Sequence, residues 1–342
     1  MDVSSTSQFS NVGRVAWHRK GIFASQTAYV SGALLILVAV ISFVAPEFLS
    51  GGNLTNVFTN FSYIAIVSLG STLVILTAGI DLSVGSTMGL VAIVTALLFR
   101  ALGATALAHV PGLVLIGACV GGMVAAAAIG GINGFLIARV GLTPFVTTLG
   151  MLSVARGLCY AITRGQGVAI DGPDSDLFFR LTDGNIAGVP MPLIYLLVLA
   201  GLMGIFLHHT ATGRHVFALG GNERAASLTG VPVTRIKAGL YVASAMSAGF
   251  AGILMAGWLG SVPANLATGY ELRIIAAAVI GGANLTGGIG GPIGAIVGAA
   301  LIEVIRNGLV LSKVDTYWQD IFVGVIIVAA VFVDKLRSRR AA

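Results

Sequence analysis

Apolar runs of bilayer-crossing length, divided by short polar breaks, fill most of this 342-residue chain. A helix needs about 20 mainly apolar residues to cross the hydrocarbon core. On that scale the pattern predicts about ten spans, at 28–45, 63–79, 86–103, 112–138, 145–163, 190–208, 236–259, 271–283, 291–310 and 318–334. The eighth is short, and only a brief break divides the second from the third. The expected fold is all-α, a polytopic membrane protein with Gly-rich broken segments and both termini in the cytoplasm. Residues 1–27 read as a polar cytoplasmic N-terminal tail ahead of a signal anchor. Residues 28–335 read as one transmembrane domain, and 336–342 as a basic cytoplasmic tail.

Composition agrees with the pattern. Hydrophobic residues make up 56% of the chain and charged residues 9%, against roughly 25% charged in soluble domains. Mean hydropathy is +0.97. The 47 glycines suit helices that pack closely through small residues. A formal charge of +6 could suggest nucleic-acid binding, but the basic residues sit at span ends rather than along a stripe. Retention of positive charge on the cytoplasmic side explains them better. With ten spans and the N-terminus inside, Arg139, Arg214, Arg224, Arg235, Lys237 and the C-terminal Lys335, Arg337, Arg339 and Arg340 all fall inside. The same threading expects Tyr63, Trp258, Tyr270, Tyr317 and Trp318 at the outer interface, where amphipathic rings settle.

Two segments echo each other. Leu73–Val94 and Ile274–Leu301 each read as an apolar helix, a polar Gly-rich interruption and a second apolar helix. The interruptions align as Asp81-Leu82-Ser83-Val84-Gly85 against Asn284-Leu285-Thr286-Gly287-Gly288. The threading makes this repeat parallel. Non-helical backbone at membrane depth is tolerated only when buried in protein or lining a wet cavity. Asp81, Ser83, Ser86, Asn284 and Thr286 are therefore candidates for a translocation path or gate. Tight turns and helix caps would use the same residue types, so Asp81 could equally cap the helix that starts at Ser83.

A polar stretch after the sixth span runs from Thr210 to Gly230. Its second half, Asn222 to Leu228, predicts a short helix opened by Asn222 and ended at Gly230. Small Ala225 and Ala226 would lie on it, with Leu228 on its apolar side. A short helix held between two spans suits docking into a partner and pushing on both spans. A solvated basic loop is the plainer alternative.

Enzyme chemistry finds no support. The histidines His18, His109, His208, His209 and His215 show no metal spacing, and a Gly-x-Ser-x-Gly nucleophile elbow is absent. Cys119 and Cys159 read as free, packed thiols. No phosphate loop of the Gly-x-x-x-x-Gly-Lys-Ser/Thr type occurs; the lookalike Gly287–Pro292 lacks the lysine.

The pattern Glu223-x-Ala225-Ala226-x-x-x-Gly230 resembles the cytoplasmic coupling motif of ABC importer permeases. The stretch from Gly213 and Arg214 through Gly220, Gly221, Asn222 and Glu223 to Ala226 is similar to the ribose-type sugar permease family in particular. So are Gly79–Ser86, Tyr270–Gly282, Gly287-Gly288 and Asn307-Gly308-Leu309. The resemblance covers about residues 50 to 335. The long polar N-terminus departs from it, as does Arg273, where an acidic or neutral residue is expected.

The resemblance implies a permease subunit carrying a monosaccharide: a ribose-like pentose, a hexose or a polyol. It implies an ATPase-coupling loop of Gly213, Arg214, Gly220, Asn222, Glu223, Ala225, Ala226 and Gly230. The implied partners are a second permease copy, two cytoplasmic ATPase domains, a periplasmic sugar-binding protein and the lipid bilayer of the bacterial inner membrane. No cofactor is expected on this chain; ATP and magnesium would lie on the partner subunits. The alternatives are a branched-chain amino acid cargo, an ion-coupled transporter using Asp81 and Glu303, and a scaffold.

Overall fold

A computed structural model of the chain describes residues 26–315 and, beyond them, 318, 321, 322, 324 and 325. Most of the tail 1–27, the expected span 318–334, the tail 336–342 and Tyr317 lie outside the described residues.

Among the described residues, eight helices are long and apolar enough to cross a membrane. They are α1 (Gln26–Val44), α2 (Gly51–Ile75), α3 (Val84–Gly103), α4 (Leu113–Phe135), α5 (Pro144–Thr163), α7 (Met191–His209), α10 (Val233–Leu259) and α12 (Pro292–Leu311). A π-helical turn, Leu136–Val140, extends α4. Shorter helices are α6 (Ser175–Thr182), α8 (Ala211–Gly221), α9 (Glu223–Leu228) and α11 (Tyr270–Ile280). Two small antiparallel ladders complete the order. One pairs β1 (Val168–Ala169) with β4 (Ser261–Val262), and the other pairs β2 (Asn185–Ile186) with β3 (Val189–Pro190).

Six of the expected spans coincide with helices to within a few residues: the first, third, fifth, sixth, seventh and ninth. The fourth does so once its π turn is included. The second begins at Gly51 rather than 63, because Asn53, Thr55, Asn56, Thr59 and Asn60 belong to the helix and not to a loop. These polar groups are absorbed by pairing. Asn53 and Asn307 exchange two side-chain amide bonds of 3.0 and 2.8 Å, which tie α2 to α12. The earlier start moves Tyr63 into the middle of α2. It is fully buried in protein, with its ring 6.4 Å from that of Trp258 near the end of α10.

The eighth expected span is a half-helix. α11 has 11 residues and rises only about 16 Å. The rest of its path is irregular backbone running along α3, where the Leu266 carbonyl lies over Gly89 and the Ala267 carbonyl over Gly85. Ala264, Leu266 and Ala267 are buried, so non-helical backbone here is covered by protein, as a bilayer requires.

The core lies where α2, α3, α4 and α10 meet, with α11 and α12 packed against α2. Small residues allow the close approach. A Cβ on Gly130 would lie 2.6 Å from the Tyr241 carbonyl, and one on Gly134 would lie 2.8 Å from Ala238 Cα. α4 therefore crosses α10 with backbones almost touching, a contact that replaces the hydrophobic drive lipid cannot supply. α5 and α7 are peripheral, with 22% and 28% of their windows buried.

At the end of the bundle away from α8 and α9, Asp174 caps α4. Its carboxylate accepts from the backbone N–H groups of Gly112 (2.9 Å), Val114 (3.0 Å) and Leu115 (3.2 Å). These bonds, Gly112 first, hold its pKa below the ordinary carboxylate value.

Candidate functional site

The two sequence interruptions form the same local structure. Asp81 Oδ1 accepts from Ser83 N at 3.0 Å and Ser83 Oγ at 2.6 Å. Asn284 Oδ1 accepts from Thr286 N at 3.0 Å and Thr286 Oγ1 at 2.8 Å. Both are Asx turns closed by a hydroxyl residue two positions on, the side-chain mimic of a backbone turn. Each ends one helix (α2, α11) and turns the chain towards the next (α3, α12).

Their surroundings differ. Asp81 is 2% exposed, and its second oxygen accepts from Ser244 Oγ of α10 at 2.9 Å. Asn133 of α4 donates to Ser83 Oγ at 3.0 Å, and Ser86 Oγ donates to the Ser83 carbonyl at 2.9 Å. The first break is thus stitched into the α4–α10 core by a network whose members are all buried. A buried carboxylate persists only when such bonds replace its lost hydration. The second break is half-buried at Asn284 and exposed at Leu285 and Thr286. It adjoins a groove of about 720 Å³ bordered by Gln26, Thr27, Gly204, His208, Gly281 and Ile289.

The expected coupling loop is more ordered than its polarity suggested. Its first half is helix α8, started by Thr210, whose hydroxyl accepts from Gly213 N at 2.9 Å. Gly213 is buried against α7, while Arg214 points to the surface. The second half is α9, as the sequence predicts. Asn222 caps it by accepting from Ala225 N at 2.9 Å, a bond worth about 1 kcal/mol. Glu223 meets Lys237 of α10 at 2.6 Å. That pair is solvent-exposed on the glutamate side, so it orients α9 more than it stabilises it. Gly230 ends the segment at φ +86°, a conformation that L side chains rarely adopt.

Burial along α9 reverses one expectation. Ala226 is the buried residue, whereas Ala225 and Leu228 are exposed, Leu228 at 84%. Leu228 therefore points outward, not into an apolar face of the chain itself.

Gly220, the penultimate residue of α8, joins the loop to both breaks. A Cβ there would collide with the Leu76 carbonyl and with Gly288 N and Cα. Leu76 caps α2, and Gly288 follows the second turn. Those two also bond directly, Gly288 N donating to the Leu76 carbonyl at 2.9 Å. Gly287 packs on Gly220 from the other side, its Cβ position 3.0 Å from Gly220 Cα. Three backbones thus meet without a side chain between them. Asp81 and Asn284 share no bond with each other; their breaks meet through this junction.

Arg156 of α5 is a membrane-depth charge that the span pattern conceals, because one arginine hardly lowers the hydropathy of a 20-residue window. Glu303, considered above for ion coupling, is 2% exposed and accepts from Arg306 at 3.1 Å.

Eight apolar spans among the described residues, a half-helix with a buried irregular approach and a short exposed helix pair at one end define a multi-pass membrane protein. The chain belongs to the family described as branched-chain amino acid transport system / permease component, whose model matches residues 53–331. It is 38% identical over 318 residues to a probable ABC transporter permease protein, y4mJ, of Sinorhizobium fredii, covering 92% of this chain and 90% of that one. It is 38% identical to the ribose import permease protein RbsC of Escherichia coli, covering 90% and 92%. Identity to the galactose/methyl galactoside import permease protein MglC of Escherichia coli is 37%, covering 90% and 93%. These relatives are bacterial, and the chain is an inner-membrane permease component.

Proposed function

We propose that this chain forms the membrane path of an ABC importer for a monosaccharide and that α8 and α9 receive the stroke of its ATPase. Relatives named for ribose and galactose import, aligned over about nine-tenths of the chain, support the cargo class. In this reading a second permease copy completes the path and a periplasmic binding protein delivers the sugar. ATP and magnesium belong to two cytoplasmic ATPase subunits. The α8–α9 end is the cytoplasmic one, since Arg139, Arg214, Arg224, Arg235 and Lys237 all gather there.

The observation that carries the mechanical part is the Gly220 junction. The exposed face of α9 offers the ATPase an apolar knob, Leu228, set among Glu223, Arg224, Ala225 and Ser227. Ala226, Gly220 and the Glu223–Lys237 pair tie that face to the membrane helices. Movement of α9 passes through α8 to Gly220 and from there to the Leu76 end of α2 and the Gly288 turn before α12. Backbone-to-backbone contact transmits a displacement with little slack, because no rotamer can absorb it. Both helix–turn–helix units would shift together.

Affinity purification of the chain from mild detergent tests this. A Walker-motif ATPase should co-purify with the wild type and be lost from Leu228→Asp, whose fold is intact because Leu228 touches little of its own chain. Retention of the ATPase by that variant would exclude Leu228 of α9 as the docking knob. Recovery of no ATPase with the wild type would favour ion coupling instead.

A further inference from the structure

We propose that Arg156 and Glu271 form a contact pair for a neutral polyhydroxylated ligand inside the membrane. The proposal rests on the sugar-import reading above and assigns it two residues. Arg156 lies well within the 20-residue span α5. An ionisable side chain at such depth is costly and normally faces the protein interior or a wet cavity. It is half-buried, and Nη1 donates to the Leu266 carbonyl at 2.7 Å. A guanidinium has five N–H donors, so most of its capacity is left over by that bond.

Glu271 stands at the start of α11, half-buried, and reaches α3 from the opposite side. Its Oε2 is the first atom that a Cβ on Gly85 would meet. A Cβ on Gly89 would come within 3.2 Å of Arg156 Nη1. Gly85 and Gly89 are four residues apart on one face of α3, about 6 Å along its axis. The space of the two missing side chains is filled by the Ala267 and Leu266 carbonyls, with the Glu271 carboxylate at one level of α3 and the Arg156 guanidinium one turn away. No ion pair joins them.

The surface of α5 agrees. At 100° per residue, Ser153, Arg156 and Tyr160 share one sector of the helix with the exposed Leu149, and Arg164 caps its end. Val154, Leu158 and Ile162 occupy another, and all three are exposed. Ser153 and Tyr160 are exposed as well. The apolar sector suits lipid. The polar sector suits water or cargo, and Asn265 and Thr268 add exposed polar groups on the neighbouring irregular segment.

Ligand charge follows from the pair. Glu271 repels an anion and Arg156 repels a cation, which leaves a ligand without net charge, and the sugar-import reading selects a polyol over a zwitterion. A sugar's hydroxyls both donate and accept, and adjacent ones can satisfy a carboxylate and a guanidinium together. The tether to Leu266 explains one donor of Arg156; it leaves Glu271 unexplained.

The test uses the complete transporter in proteoliposomes, with ribose, galactose and allose as probes. Glu271→Gln and Arg156→Gln should each lower uptake at sub-saturating sugar about tenfold, with assembly and thermal stability kept. In a Cys119→Ala/Cys159→Ala background, Ser153→Cys should react with a charged, water-soluble thiol reagent, and transported sugar should slow that reaction. Wild-type uptake of none of the three sugars overturns the import reading and this pair with it. Wild-type uptake with both glutamine variants unaffected overturns the pair alone. So does an unreactive Ser153→Cys, which would place the sector in lipid, or a labelling rate that sugar leaves unchanged.

Discussion

The two Asx turns, Asp81-Leu82-Ser83 and Asn284-Leu285-Thr286, share a hydrogen-bond pattern to within 0.2 Å and yet hold opposite positions in the molecule. The first is built on a carboxyl group, is sealed and is bonded to α4 and α10. The second is neutral, partly open and bonded mainly to itself and to α2. A turn of this kind needs only an acceptor at its first position and a hydroxyl two residues later. What surrounds it decides the rest. The first turn is the fixed member of the pair, set in the most tightly packed part of the bundle. The second sits beside a groove at the end of a half-helix and is the more exposed of the two. Gly220 touches the Leu76 end of α2, which leads into the first turn, and Gly288, which follows the second, so a push on α8 reaches a sealed element on one side and a partly open one on the other.

Substitutions that separate the two turns should have graded effects. Gly220→Val should act most strongly, since its side chain would enter the space of two backbones that cannot turn aside. We expect uptake to fall more than about tenfold, with an overpacking cost of about 1–3 kcal/mol in thermal denaturation. Asp81→Ala comes next. It strands Ser83 and Ser244 without an acceptor in a buried site, a loss of about 2–3 kcal/mol. Asp81→Asn keeps the Oδ1 acceptor and should cost about 1 kcal/mol, with less effect on transport than Gly220→Val. Complete loss of uptake from Asp81→Asn, with normal assembly, would show instead that its charge acts in transport.

Asn284→Ala removes the two turn bonds, without a counterpart of the Ser244 bond, and at a site water can reach, so the cost should stay under about 1 kcal/mol. Equal costs for the two alanine variants would erase the distinction between the turns. The smallest effect belongs to the Asp174 cap. Its folded pKa is depressed, so its contribution is full above the ordinary Asp value of about 3.9. It fades as pH falls through the lower folded value. Melting curves of wild type and Asp174→Asn should therefore converge below that range and separate above it.

Most of the helical layout was legible because apolar runs of bilayer length have few other uses. The echo of Asp81–Gly85 in Asn284–Gly288 was legible too, as was the Asn222 cap. Three features were hidden for physical reasons. The first turns of α2 are rich in Asn and Thr, and only the amide exchange with Asn307 makes them acceptable in a span. α8 reads as loop because its glycines, its worst helix formers, are present for contacts that a linear pattern does not reveal. α11 matches the short eighth span, but its approach, irregular backbone lying on Gly85 and Gly89, has no helical or strand pattern to announce it. Arg156 escaped for the converse reason, as a single charge diluted among apolar neighbours. The Tyr63 and Leu228 placements turned on helix start and helix face, which shift by a few residues at no cost to the overall pattern.

The junction at Gly220 is most directly tested by measuring ATP hydrolysis and sugar uptake together in proteoliposomes that hold the Gly220→Val permease with its ATPase and binding protein. Continued hydrolysis with uptake lost would show that the stroke is delivered to α9 but not passed to the two turns, as the account predicts. Uptake at the wild-type rate would contradict it and place transmission elsewhere.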